Sequence, residues 1–131
     1  MITQIPLRIY YEDTDVGGVV YYANYLKFFE RGRTEFLRSH GVDLSEYHSK
    51  GIVFVVVSAS VDYFVPAKYG DLLSVETKIE DLSGASILFS HKIFKEGLMK
   101  PLVTGQVKLA CTKVGGGPVR IPPEIRKVIS I

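Results

Sequence analysis

Two aspartates one residue apart, Asp13 and Asp15, are followed at once by Gly17 and Gly18 and then by the apolar run Val19-Val20-Tyr21-Tyr22. At strand spacing the two carboxylates share a side. The glycines supply backbone conformations closed to other residues and let a ligand approach the main chain. Helical periodicity begins at Tyr22, and the first turn of a helix carries partnerless N–H groups and partial positive charge. A carboxylate, a glycine turn and free N–H donors are the parts of acyl transfer. The acid attacks a reactive carbonyl or activates water, and the donors hold the oxyanion. By spacing alone the residues fit ordinary turn chemistry better, with Asp15 closing an Asx-turn and Asp13 positioning the loop.

The rest of the chain must position these groups. Residues 5–11 alternate and read as a first strand that the Asp-Thr-Asp-Val-Gly-Gly segment ends. Over residues 22–40, Tyr22, Tyr25, Phe29, Gly32 and Phe36 recur at three- and four-residue spacing, which predicts a helix of about five turns with Gly41 as its stop. Gly32 costs about 1 kcal/mol relative to alanine in mid-helix, so its reason is close approach to another backbone. Asp43 is the expected N-cap of a short helix over 43–49. Residues 52–65 read as a long strand with Val55, Val57, Ala59, Val61, Tyr63 and Val65 on one face. Three further strands, near 71–81, 85–95 and 102–114, are joined by connectors short enough for antiparallel hairpins. Pro122 and Pro123 open a brief last helix. Strands grouped apart from one long helix indicate an α+β class, a five-stranded antiparallel sheet that wraps the helix on nearly all sides.

Composition excludes several functions. The chain has 131 residues, 47% of them hydrophobic and 23% charged, which suits a single globular domain over 1–131. Its 16 basic and 14 acidic residues are mixed along the chain without a like-charge run, so nucleic-acid binding is not indicated. The longest apolar run, 52–57, is far too short to span a membrane, and the N-terminal residues lack signal-peptide features, so the expected address is cytoplasmic. The lone Cys111 excludes an intrachain disulfide and is expected buried and inert. His91 shares a strand face with Ile87, Phe89 and Ile93, which predicts a satisfied, partly buried histidine. Glu30 and Arg33 are expected to form a solvent-side ion pair.

The stretch YYEDTDVGGVVYYANYLKFFERGRTEFL, with Asp-x-Asp, glycine, Val-Tyr and Asn-Tyr opening the helix, resembles the hotdog-fold thioesterases of the 4-hydroxybenzoyl-CoA thioesterase and YbgC type. The YbgC branch is linked to the Tol-Pal cell-envelope system. A second block, VVVSASVDYFVPAKYGDLLSVET, is similar to the later strands of that family through Tyr63, Pro66, Ala67 and Asp71. The resemblance implies a hotdog thioesterase domain and an acyl-CoA substrate. It implies Asp15 as nucleophile or general base and the Tyr22 N–H as oxyanion donor, with Gly17, Gly18, Tyr25 and Val55 on the substrate side. It further implies no metal or cofactor, and a homo-oligomer, dimer or homotetramer, with its active site at an interface. YbgC-type members commonly carry His where this chain has Tyr22, and the 4-hydroxybenzoyl branch carries Tyr. The competing readings are a non-catalytic module that binds acyl-CoA or acyl carrier protein, and a hydratase of the same fold. The latter needs a histidine beside its acid, and the Asp-Thr-Asp segment has none nearby.

Overall fold

Ile5, Leu7 and Ile9 turn one side of the N-terminal stretch toward the core, while Gln4, Pro6 and Arg8 face out. In the computed structural model, which describes residues 1–130, they build β1 (Thr3–Arg8). There follow α1 (Asn24–Ser39), α2 (Leu44–Ser49), β2 (Ile52–Tyr63), β3 (Leu72–Leu82), β4 (Ser86–Lys95), β5 (Val103–Lys113) and α3 (Pro123–Ile129). All five strands pair antiparallel in one sheet of order β1-β3-β4-β5-β2, the α+β arrangement expected. Among the described residues no helix is long and apolar enough to cross a membrane.

The buried residues of α1, among them Phe28, Phe29, Phe36 and Leu37, form a stripe that packs on β1, β3 and β4. Each such side chain, fully buried, contributes roughly 1.5–3 kcal/mol. Lys27, Glu30 and Arg31 on the opposite face are exposed, so the sheet covers one face of the helix rather than nearly all of it. Gly32 does mark a close approach, but to side chains and not to a backbone. A Cβ there would collide with Thr77 Oγ1 and lie 3.0 Å from Val75 Cγ1, both on β3. Gly105 on β5 does the same for Phe29, whose ring occupies the space a Cβ would need.

Two boundaries and one strand phase differ from expectation. The regular strand stops at Arg8, and residues Tyr11–Asp13 make a 3-10 turn, so Asp13 and Asp15 do not alternate along a strand. α1 begins at Asn24, not Tyr22, because the entering chain is held by the acidic loop. The Tyr21 N–H donates to the Asp13 carbonyl at 3.0 Å, and the Asn24 side-chain amide donates to the same oxygen at 2.9 Å. In β2 the pairing passes from Val56↔Leu109 to Ser58↔Lys108, leaving Val57 as a bulge. The extra residue changes the phase of the strand. Phe54 and Val56 face the helix before it, and Ala59, Val61 and Tyr63 face the helix after it, so Val55 does not share their face.

The Asp43 carboxylate accepts the N–H and the hydroxyl of Ser45 at 3.0 and 2.7 Å, capping α2 as predicted. These bonds hold its pKa below the usual carboxylate value. Asp43→Ala is expected to lower Tm by a few degrees in thermal unfolding; an unchanged Tm would show that α2 needs no cap.

Candidate active site

The loop between β1 and α1 is closed by an isolated bridge between Thr14 and Val20, and Val19 bridges to Lys68. Inside it the Asp15 N–H donates to the Val19 carbonyl at 2.9 Å, and the Gly18 N–H to the Asp15 carbonyl at 3.1 Å. Gly18 takes φ +78°, which a side chain there would strain. The Asp15 Oδ1 accepts the Gly17 N–H at 2.8 Å, so the Asx-turn that spacing allowed is present. That bond uses one carboxylate oxygen. Oδ2 meets no partner among the described residues, and the side chain is exposed. Asp13 is occupied differently: its Oδ2 accepts the Tyr10 N–H at 2.8 Å while its carbonyl binds Tyr21 and Asn24. It anchors the loop to the start of α1.

At that start, Asn24 and Tyr25 donate back to the carbonyls of Tyr21 and Tyr22. Among the described residues the N–H groups of Tyr22 and Ala23 donate to no acceptor, so the open donor stands at Tyr22 although the regular helix begins two residues later. Beside it is a cleft of about 250 Å³ lined by Val20, Tyr22, Tyr25, Tyr63, Phe64 and Val65, together with Pro66. Tyr25 is 2% exposed, its hydroxyl accepts the Ala67 N–H at 3.1 Å, and burial pushes its pKa up. The Tyr22 ring is exposed and meets the Tyr63 ring edge-on, with centroids 6.4 Å apart, while the Tyr63 hydroxyl donates to the Tyr22 carbonyl at 3.2 Å.

The structure therefore ties Asp15, Gly17, Gly18 and the Tyr22 N–H into one loop and puts Tyr22 and Tyr25 on the cleft wall. Asp15 does not itself line that cleft. Val55 stands apart, on the sheet face opposite α1. Phe64 and Val65 complete the wall without having been singled out as site residues; alternation puts Val65 at the end of the 52–65 strand, but β2 stops at Tyr63 and both residues lie in the segment that leads to Pro66. Among the described residues no cluster of three His, Cys, Asp or Glu side chains is placed to hold a metal ion.

One expectation fails at the helix middle. Arg33 is not paired with Glu30 at the surface; it is buried, and its Nη1 lies 3.3 Å from His91 Nε2. The guanidinium can only donate, so Nε2 accepts and Nδ1 carries the proton toward Thr77 Oγ1, 3.0 Å away. The His91 ring stacks on Phe29 at 4.6 Å. Burial, and then the Arg33 cation, push its pKa down to about 3, so it is neutral and hydrogen-bonded, the satisfied histidine expected. Cys111 is buried, and burial raises its thiol pKa, which keeps it unreactive.

The sequence and the fold have known relatives. Residues 10–129 match the family model described as the thioesterase-like superfamily. The chain is 46% identical over 123 residues to the acyl-CoA thioesterase YbgC of Haemophilus influenzae, covering 92% of this chain and 89% of that protein. It is 36% identical to the acyl-CoA thioesterase YbgC of Helicobacter pylori strain J99, with 94% and 96% covered. Among solved structures, a 1,4-dihydroxy-2-naphthoyl-CoA thioesterase from Synechocystis superposes with a TM-score of 0.92 at 25% identity, covering 98% of this chain and 96% of that one. A hypothetical protein from Aquifex aeolicus gives 0.91 at 32% identity, covering 98% and 99%.

Proposed function

The chain belongs to the thioesterase-like superfamily, as a hotdog-fold thioester hydrolase related to the YbgC proteins, and we propose that it cleaves acyl-CoA with Asp15 as its carboxylate and the Tyr22 N–H as its oxyanion donor. The observation that carries this reading is the unpartnered N–H of Tyr22, a residue of the cleft wall, linked through the Thr14–Val20 bridge to a carboxylate with one free oxygen. A thioester carbonyl oxygen docked on that N–H leaves its carbon electrophilic. Two routes then lead to the same products. In one, Asp15 Oδ2 bonds to the carbon, the C–S bond breaks to release the CoA thiolate, and water hydrolyses the mixed anhydride. In the other, Asp15 takes a proton from water, which attacks directly, and the thiolate leaves and is protonated. Either way Gly17 and Gly18 keep the loop slim beside the reacting groups, and Tyr25 shapes the wall.

A second copy of the chain completes the site in this reading, as a dimer or within a tetramer. β2 is an edge strand, and Val55, Val56 and Val57 are exposed on it. Val16, beside Asp15 at the loop tip, is fully exposed as well. Unpaired edges of this kind are covered in native proteins, and two-fold pairing along β2 covers this one. Asp15 lies outside its own chain's cleft, which fits a site that two copies share, and brings Val55 back as an interface residue. Acyl carrier protein presents the same thioester and is the expected alternative donor. A cytoplasmic address agrees with the single buried cysteine.

The direct test is free-thiol release from short, long and aromatic acyl-CoAs. Saturable binding with no release from any of them would instead establish a binding module. Because the proposal uses the main-chain N–H of residue 22, Tyr22→Phe is expected to retain kcat/KM within a few-fold of the parent. A loss of about 100-fold, in the range for a removed proton donor, would make the phenol a participant.

A further inference from the structure

The seam between α1 and β2 continues beyond the cleft. Two more cavities lie along it, one of about 180 Å³ bounded by Leu26, Lys27, Glu30, Arg33, Val56 and Ala59, the next of about 300 Å³ where Glu30 and Arg33 meet Leu37, Leu44 and Phe54. The helix-facing row of β2 passes through all three in order, with Tyr63 at the cleft, then Ala59, then Val56, then Phe54. The walls are mainly apolar. Lys27, Glu30 and Arg33 are the charged exceptions, and of these only Arg33 is buried, at 7% exposed; like Glu30 it borders both of the further cavities.

A guanidinium has five N–H donors, and burying its charge is costly unless it is paired. Among the described residues Arg33 donates one side-chain hydrogen bond, to His91, which is uncharged, and no carboxylate lies within ion-pair distance of it. The charges that border the groove are Lys27 and Arg33 against Glu30, one positive charge in excess. A single carboxylate would balance it. About nine residues of helix separate Asn24 from Arg33, roughly 14 Å of rise, with Tyr22 two residues before that start, and a helical side chain leans back toward the N-terminus, which shortens the gap.

We propose that Arg33 binds a carboxylate at the far end of the acyl group, so that the α1–β2 groove selects thioesters of chain-like dicarboxylic acids over plain alkyl thioesters of the same length. The proposal rests on the thioester-hydrolase reading, and its test separates the two. Matched pairs of CoA thioesters over a series of chain lengths, alkyl against ω-carboxy, with ω-hydroxy as a third member, are compared by kcat/KM and by equilibrium Kd with the full chain. The ω-carboxy member is expected to be preferred by about tenfold or more at the length that reaches Arg33, the size of one charge-assisted hydrogen bond. Glu30→Gln, at an exposed position, is expected to widen that ratio; Arg33→Lys to keep part of it; and Arg33→Met, checked for folding by thermal unfolding, to bring it near one. A parent ratio near one at every length overturns the proposal, as does a ratio that persists in folded Arg33→Met; a ratio near one is also the outcome if a second copy fills the groove. If no thioester is hydrolysed the hydrolase reading falls by itself, and the Kd ratio still decides the role of Arg33.

Discussion

Asp15→Asn protein is expected to lose acyl-CoA hydrolysis by a factor of about a thousand or more in kcat/KM, with its thermal unfolding midpoint essentially unchanged. The two halves of that result have separate causes. An amide neither attacks a thioester nor takes a proton from water, so both chemical routes close. The amide oxygen still accepts the Gly17 N–H, as Oδ1 does at 2.8 Å in the parent, and the side chain is exposed, so the turn and the core keep their contacts. Asp13→Asn is the matched control, because the Asp13 carboxylate is already bound to the Tyr10 N–H and its role is to hold the loop. It is expected to stay within about tenfold of the parent, well short of the loss of a catalytic carboxylate. Substantial hydrolysis in Asp15→Asn, or equal losses in both variants, would remove Asp15 from the role assigned to it.

The other large effect is on stability. His91 titrates at its ordinary value of 6.5 in the unfolded chain and near 3 in the folded one. Between those values the unfolded state binds more protons, so stability rises with pH. It is fully present above about pH 6.5 and is lost as pH falls toward 3. The slope expected from this one group approaches about 1.4 kcal/mol per pH unit. The cause is geometric: a proton on Nε2 would point at Arg33 Nη1, a cationic nitrogen only 3.3 Å from Nε2, with the ring inside the core and stacked on Phe29. Carboxylates titrate in the lower part of the same range, so the measurement is a difference. Urea unfolding of the parent and of His91→Gln, from pH 7 to pH 4, is expected to show a shallower acid slope in the variant. Parallel curves would mean that His91 is not held neutral by the core.

Much of the architecture was legible in the chain. The spacing of Tyr25, Phe29, Gly32 and Phe36 located the inner face of α1, and short glycine-bearing connectors located the hairpins β3–β4 and β4–β5. Asp43 was readable as a cap because its bond reaches only two residues ahead. The acidic loop was readable as chemistry because carboxylate, glycines and helix entry stand within ten residues. What was misread involved distant partners. Arg33 keeps step with Phe29 and Leu37 at four-residue spacing, which points inward, but its charge argued for solvent; the uncharged His91, 58 residues away, is what admits it. The Val57 bulge is a property of pairing with β5, so the alternation of β2 alone put Val55 on the wrong face. Gly105 carries no local signal at all, since its reason is the Phe29 ring.

The sequence by itself determined the elements, their caps and turns, and the residue types that stand ready for thioester chemistry. Periodicity, glycine conformations and side-chain-to-backbone bonds all act over a few neighbouring residues, so the sequence carries them directly. The tertiary structure alone decided which face each strand presents, where the helix begins, which N–H is left open and how a buried arginine comes to border an apolar groove. Those outcomes depend on side chains brought together from elements far apart in the chain, through packing and pairing that no short stretch records.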